Sequence, residues 1–151
     1  MATRADIEAW LVGQEPGEPL PQGLPVVRGI PVNGHRFLLP FNVEGVGPLG
    51  GQLWLDDDNI ALIVELPWRV SDFGDEIRLF EVLMELNKGY GFGRFALEDN
   101  GTILYIVDQP TGRPDREYFD YFGIIFLLGL AQTVISRAAQ RLQGLRGQGP
   151  F

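Results

Sequence analysis

The stretch LNKGYGFGRFALEDNGTI, residues Leu86–Ile103, decides which fold this 151-residue chain adopts. Upstream of it lies a run of helical spacing that Ser71 or Asp72 can cap and that ends at about Lys88. Asp75, Arg78, Glu81, Glu85 and Lys88 form one polar stripe on this helix. Phe73, Ile77, Phe80 and Met84 take one apolar side and Leu79, Val82 and Leu86 another, so burial on two sides is expected. Lys88 suits the negative end of a helix and Gly89 its left-handed cap. Beyond the glycines the period becomes strand-like, and Asn100-Gly101 suits the positive backbone angles of a type I′ turn, so residues 93–107 read as a hairpin. With Asp99 opposite Thr102, Phe95, Leu97, Leu104 and Ile106 would share one face, and Phe92, Arg94, Ala96, Ile103, Tyr105 and Val107 the other. A helix feeding a hairpin with two apolar faces is the joint from which the rest is read.

The letters KGYGFGRF, Lys88–Phe95, also fit six of the seven specified positions of the main RNA-contact motif of RNA-recognition domains, failing where Gly93 stands for Val. That motif belongs on a third strand, with a partner motif on an earlier one. Here it follows directly on a helix, and the nearest partner, LYIV at Leu104–Val107, comes after it. A phosphate-cradling glycine loop is excluded by the same order, because such loops run from strand to helix. A net charge of −8 and a pI near 4.5 oppose phosphate backbones and anionic lipid heads. Direct nucleic-acid contact is therefore disfavoured. Stacking of single strands on Tyr90, Phe92 and Tyr105 is the alternative reading.

Working outward, residues 3–13 read as a short amphipathic helix with Thr3 at its cap, Ile7, Trp10 and Leu11 on one face, and Gly13 at its end. Residues 14–25, which hold Pro16, Pro19, Pro21 and Pro25, form an extended connector. Strand-like runs follow: VVRGIPV from Val26, HRFLLPFNV after an Asn33-Gly34 turn, QLWL, and NIALIVELPW, an antiparallel meander. At the other end Asp115 opens a helix to about Gln143 whose segment Tyr121–Ala131 is apolar all round, too short at eleven residues to cross a bilayer. Residues 144–151 read as a flexible tail. Size and 45% hydrophobic content suit a single domain.

The chemistry-bearing residues are few. With no cysteine there are no disulfides, thiol nucleophiles or thiolate metal sites, which fits a reducing cytoplasm, and MATRADIEAW lacks a secretory core. His35 is the sole histidine and reads as a solvated turn residue. The two serines, Ser71 and Ser136, read as a helix cap and a helix-interior residue, leaving no nucleophile for a triad. The DDDN of Asp56–Asn59 lacks the spacing of a calcium loop and reads as a charged turn. No catalytic residue, cofactor or metal site is expected, and the protein is not read as an enzyme.

The order helix, strands, helix, hairpin, long helix over residues 50–143, with Asn87 at the helix end and Phe95 and Leu97 alternating into EDNG, resembles the bacterial YbjN-type family and its relatives, the type III secretion chaperones. The resemblance implies an α+β fold: an antiparallel sheet of five or six strands with helices packed on it. It further implies a small, acidic, non-catalytic homodimer that holds a partner protein against apolar surface or a sheet edge. The apolar surplus of the sequence supports self-association. Candidate dimer residues are Leu83, Phe122, Phe126 and Leu130. Candidate partner-binding residues are Tyr90, Phe92, Arg94 and Tyr105, with the sheet edge near Val26 as the other option.

Overall fold

The computed structural model describes residues 4–13, 27–56, 59–89, 93–110 and 121–146. Helix α1 (Arg4–Val12) precedes strands β1 (Ile30–Asn33), β2 (Arg36–Val43), β3 (Gly47–Leu55) and β4 (Asn59–Arg69). Helix α2 (Glu76–Gly89), strands β5 (Gly93–Leu97) and β6 (Thr102–Pro110), and helix α3 (Tyr121–Arg146) complete the order. The strands form one antiparallel sheet in the order β1-β2-β3-β4-β6-β5. This is the expected α+β architecture, with six strands. Because β6 lies between β4 and β5, those two run parallel, and α2 is the connection that such a pair requires.

Alternation along the strands sends one set of side chains into a single core. Phe37, Leu39 and Val43 of β2, Leu53 and Leu55 of β3, Ile60, Leu62, Val64 and Leu66 of β4, and Ile103, Tyr105 and Val107 of β6 are all buried there. The helices cover that face. From α1 come Ile7, Trp10 and Leu11, and from α2 Leu79, Val82, Leu83 and Leu86. From α3 come Ile124, Leu127, Ala131, Val134, Ile135, Ala138 and Leu142.

Several local expectations are corrected. A 3₁₀ turn occupies Val70–Asp72, and α2 starts later, with the Asp75 carboxylate accepting the Arg78 N–H at 3.0 Å as its cap. Gly89 is the last helical residue and has no positive φ, so it is not a left-handed cap. Of the two apolar sides expected, that of Leu79, Val82 and Leu86 is buried; on the other, Phe73 precedes the helix and is buried, while Ile77, Phe80 and Met84 are exposed. The apolar part of α3 is also longer than expected: Gly123–Leu145, 23 residues, is long and apolar enough to cross a membrane, and its buried side is the one packed on the sheet. Residues 144–146 of the expected tail are helical. Residues 14–25, Thr3, Asp115 and 147–151 lie outside the described residues.

The β5–β6 hairpin slips by one residue from the expected register. Phe95 pairs with Tyr105 and Leu97 with Ile103, and the Glu98 N–H donates to the Thr102 carbonyl at 3.0 Å. The reason is the turn. A type I′ loop needs positive φ at both central residues, but only Gly101, at +87°, has it. Asp99, Asn100 and Gly101 therefore make a three-residue loop closed by Gly101 N–H to Glu98 carbonyl at 2.9 Å, and Phe95 moves to the face of Tyr105.

Candidate protein-binding surfaces

With the helices on one side, the residues of alternate parity line the other, where no described helix or strand lies. The register aligns them in rows across the sheet. One row runs Ile30, Leu38, Gln52, Ile63, Ile106, Arg94 from β1 to β5. The next runs Arg36, Trp54, Ala61, Asp108 from β2 to β6. A third joins Glu65, Leu104 and Ala96. Leu38, Ile63 and Ile106 make the first row largely apolar around Gln52; Arg36, Arg94 and Asp108 stand on outer strands, and Glu65 stands on the central strand β4. Arg36 lays its guanidinium 3.7 Å from the centroid of the Trp54 ring, and the Trp54 indole N–H donates to Gln52 Oε1 at 3.3 Å.

A second uncovered apolar surface is the outward side of α2. Ile77, Phe80 and Met84 recur at helical spacing, and Ile77 and Met84 are 73% and 64% exposed, too open for core residues. Among the candidate dimer residues, Leu83 belongs to the buried side of the same helix and is corrected to a core residue. Phe126 is exposed on α3, Leu130 is half-buried, and the side chain of Phe122 lies outside those described.

Of the candidate partner-binding residues, Arg94 is exposed on the open face. Tyr105 is corrected: it is 1% exposed in the core, its ring 5.2 Å from that of Phe95, and burial pushes its phenol pKa up to about 12. It offers no stacking surface. Tyr90 and Phe92 lie outside the described residues. The mismatch at Gly93 also finds its reason, because a Cβ there would run into the Tyr105 ring, 2.6 Å from Cζ and 2.8 Å from Cε2. The glycine makes room for a core tyrosine, which the slipped register brings opposite Phe95 and which no motif could have announced.

Both sheet edges are guarded. On β5 the side-chain amide of Asn87 behaves like a neighbouring strand: its Oδ1 accepts the Phe95 N–H at 2.6 Å and its Nδ2 donates to the Phe95 carbonyl at 3.2 Å. On β1 Pro31 has no N–H to offer, and the pairing is irregular between Pro31 and Asn33. Ile30 and Val32 are nevertheless exposed there, while Val26 itself lies outside the described residues.

His35 is more than a solvated turn residue, since its Nδ1 pairs with the Glu8 carboxylate and so joins α1 to the β1–β2 turn. The Arg28 guanidinium donates to the Trp10 carbonyl, and the Gly29 N–H to the Leu11 carbonyl at 2.8 Å, at the C-terminal end of α1. Between α3 and the end of β2 an open cleft is lined by polar groups, of which Gln132 and Ser136 donate to the carbonyls of Asn42 and Glu44. Among the described residues no group of three or more His, Asp or Glu side chains could hold a metal ion.

No protein-family model matches the chain, and no curated protein sequence is similar to it. Among solved structures, the crystal structure of YbjN from E. coli, a candidate transcription regulator, superposes with a TM-score of 0.54. The match covers 78% of this chain and 82% of that one at 13% identity. The likeness is one of fold, and in fold this chain resembles YbjN.

Proposed function

We propose that the protein is a non-catalytic adaptor that self-associates and carries a partner protein on apolar surface left uncovered by the described residues of its own chain. The observation that supports this best is the outward stripe of Ile77, Phe80 and Met84 on α2. A helix that buries four residues inward gains nothing for its own fold from three more facing water, whereas a partner segment laid along them would remove them from water. The guarded edges favour docking on side chains over strand addition. The fold shared with a candidate regulator agrees with a binding role and carries no chemistry with it.

The test is a tagged pull-down from native lysate, divided into nuclease-treated and untreated halves, with the wild-type chain and with Ile77→Glu/Met84→Glu. A protein retained in both halves by the wild type and lost from the variant supports the reading. Equal retention by the variant moves the partner site off α2. Recovery of nucleic acid and its escorts only in the untreated half overturns the protein-adaptor reading in favour of nucleic-acid binding.

A further inference from the structure

We propose that a second copy of this chain covers the open face of the sheet, the two sheets packing face to face about a two-fold axis that runs along the strands between β3 and β4. This rests on the adaptor reading only in taking the protein to self-associate. The strand order places three strands on each side of that line. Rotation about it sets β4 over β3 of the second copy, β6 over β2 and β5 over β1.

The register then decides what meets what, and two of the three rows prove complementary to themselves. In one row Asp108 comes over Arg36 of the second copy, and small Ala61 over large Trp54. In the neighbouring row Ile106 comes over Leu38 and Ile63 over Gln52, while Arg94 reaches Ile30 at the edge with its aliphatic stem. The axis repeats each contact, so two Asp108–Arg36 pairs flank a centre of Trp54, Ala61, Ile63 and Gln52, with Glu65 of each copy beside the axis in the third row. Stacked sheets lie about 10 Å apart, and an axis along the strands leaves the facing strands aligned, which keeps near-central rows in register.

Size favours the sheet over α2 as the self-association surface. Six strands at about 4.8 Å spacing make a face roughly 25 Å wide, of the order that the ~800 Å² per partner of a stable interface needs. Three side chains on one helix, about 10 Å across, fall well short. Charge points the same way. On a chain of net charge −8, this face carries Arg36 and Arg94 beside Glu65 and Asp108, a balance suited to a like surface.

Within one chain Arg36 and Asp108 stand three strand spacings apart, roughly 14 Å, too far to pair. A charge swap between them can be rescued only across copies. Sedimentation equilibrium on the full chain at micromolar concentration should find a dimer for the wild type. Arg36→Asp and Asp108→Arg should each weaken association at least about tenfold, the scale of one close charge pair, with unchanged circular dichroism. An equimolar mixture of the two variants, or the double variant, should restore the dimer. A structural role of Arg36 over Trp54 would leave the mixture unrescued. A wild-type dimer indifferent to both single variants, or weakened without rescue, overturns the interface and leaves self-association standing. A wild-type monomer that still captures a protein from lysate overturns the proposal and leaves partner binding standing.

Discussion

The side-chain amide of Asn87, at the end of α2, pairs with both backbone groups of Phe95, a residue of the edge strand eight positions on in the chain. Two hydrogen bonds with one part-buried side chain fix the strand to the helix and close the strand's outer edge. Asn87→Ala should cost roughly 1–2 kcal/mol, the net worth of two such bonds. Urea unfolding would measure the loss, and hydrogen exchange should speed at the Phe95 amide more than at its neighbours. Asn87→Asp keeps the acceptor and loses the donor, so its Phe95 amide should stay better protected than in the alanine variant.

Gly93 and Tyr105 make a prediction whose sign is unusual. In most strands alanine in place of glycine stabilises by about 0.4–1 kcal/mol, because the unfolded chain loses freedom. At Gly93 the space that a Cβ would need belongs to the Tyr105 ring. Gly93→Ala should destabilise by about 1–3 kcal/mol, the usual cost of overpacking. Pairing it with Tyr105→Leu, which shortens the obstructing group, should give a loss smaller than the sum of the two single losses.

Burial of Tyr105 also sets an alkaline limit. Its pKa rises from the ordinary 10.0 to about 12 because the phenolate is poorly solvated there. A raised folded pKa means the unfolded chain gives up the proton first. The stabilisation is fully present below about pH 10 and lost as pH rises towards 12. Thermal unfolding followed from pH 8 to 12 should show this fall, and Tyr105→Phe should flatten it.

The hydrogen bond from Arg141 on α3, 2.6 Å from the Glu85 carboxylate on α2, together with its charge, holds that carboxyl below its ordinary value. A depressed carboxylate pKa contributes stability above the unfolded value and loses it as pH falls through the folded one. In an NMR titration of the Glu85 carboxyl, Arg141→Gln should raise the midpoint. The pair is exposed, so 1 M salt should move the wild-type midpoint in the same direction.

The helix-to-hairpin joint, the meander and the long final helix were all legible in the sequence, because hydrophobic period and turn chemistry report local structure directly. The hairpin register was not. Asn100-Gly101 serves two turn types, and the choice between them depends on which face Phe95 can fill, a matter of packing. The same limit hid Tyr105: alternation places it on a face, but only the position of the helices says that this face is inside. The guard at Phe95 was half visible, since Asn87 could be named at the helix end, while its bonds needed the fold. On α2 the polar and apolar stripes were readable, but period alone assigns no apolar stripe to this chain or to another.

Leu83 and Met84 put that last distinction to a test within one helix. They are neighbours in sequence, about 100° apart around α2, and differ in burial: Leu83 is 6% exposed in the core and Met84 is 64% exposed. Truncating a buried leucine removes apolar contacts and leaves a cavity, so Leu83→Ala should cost about 2–5 kcal/mol in urea unfolding. Met84→Ala removes contacts only with water in the free chain, and should stay within about 0.5 kcal/mol. A loss of 2 kcal/mol or more at Met84, with the free chain at nanomolar concentration, would place that side chain in the chain's own packing. The stripe would then cease to be a docking surface. A near-zero change at Met84, beside a large one at Leu83, leaves the outward side of α2 available to something other than its own fold.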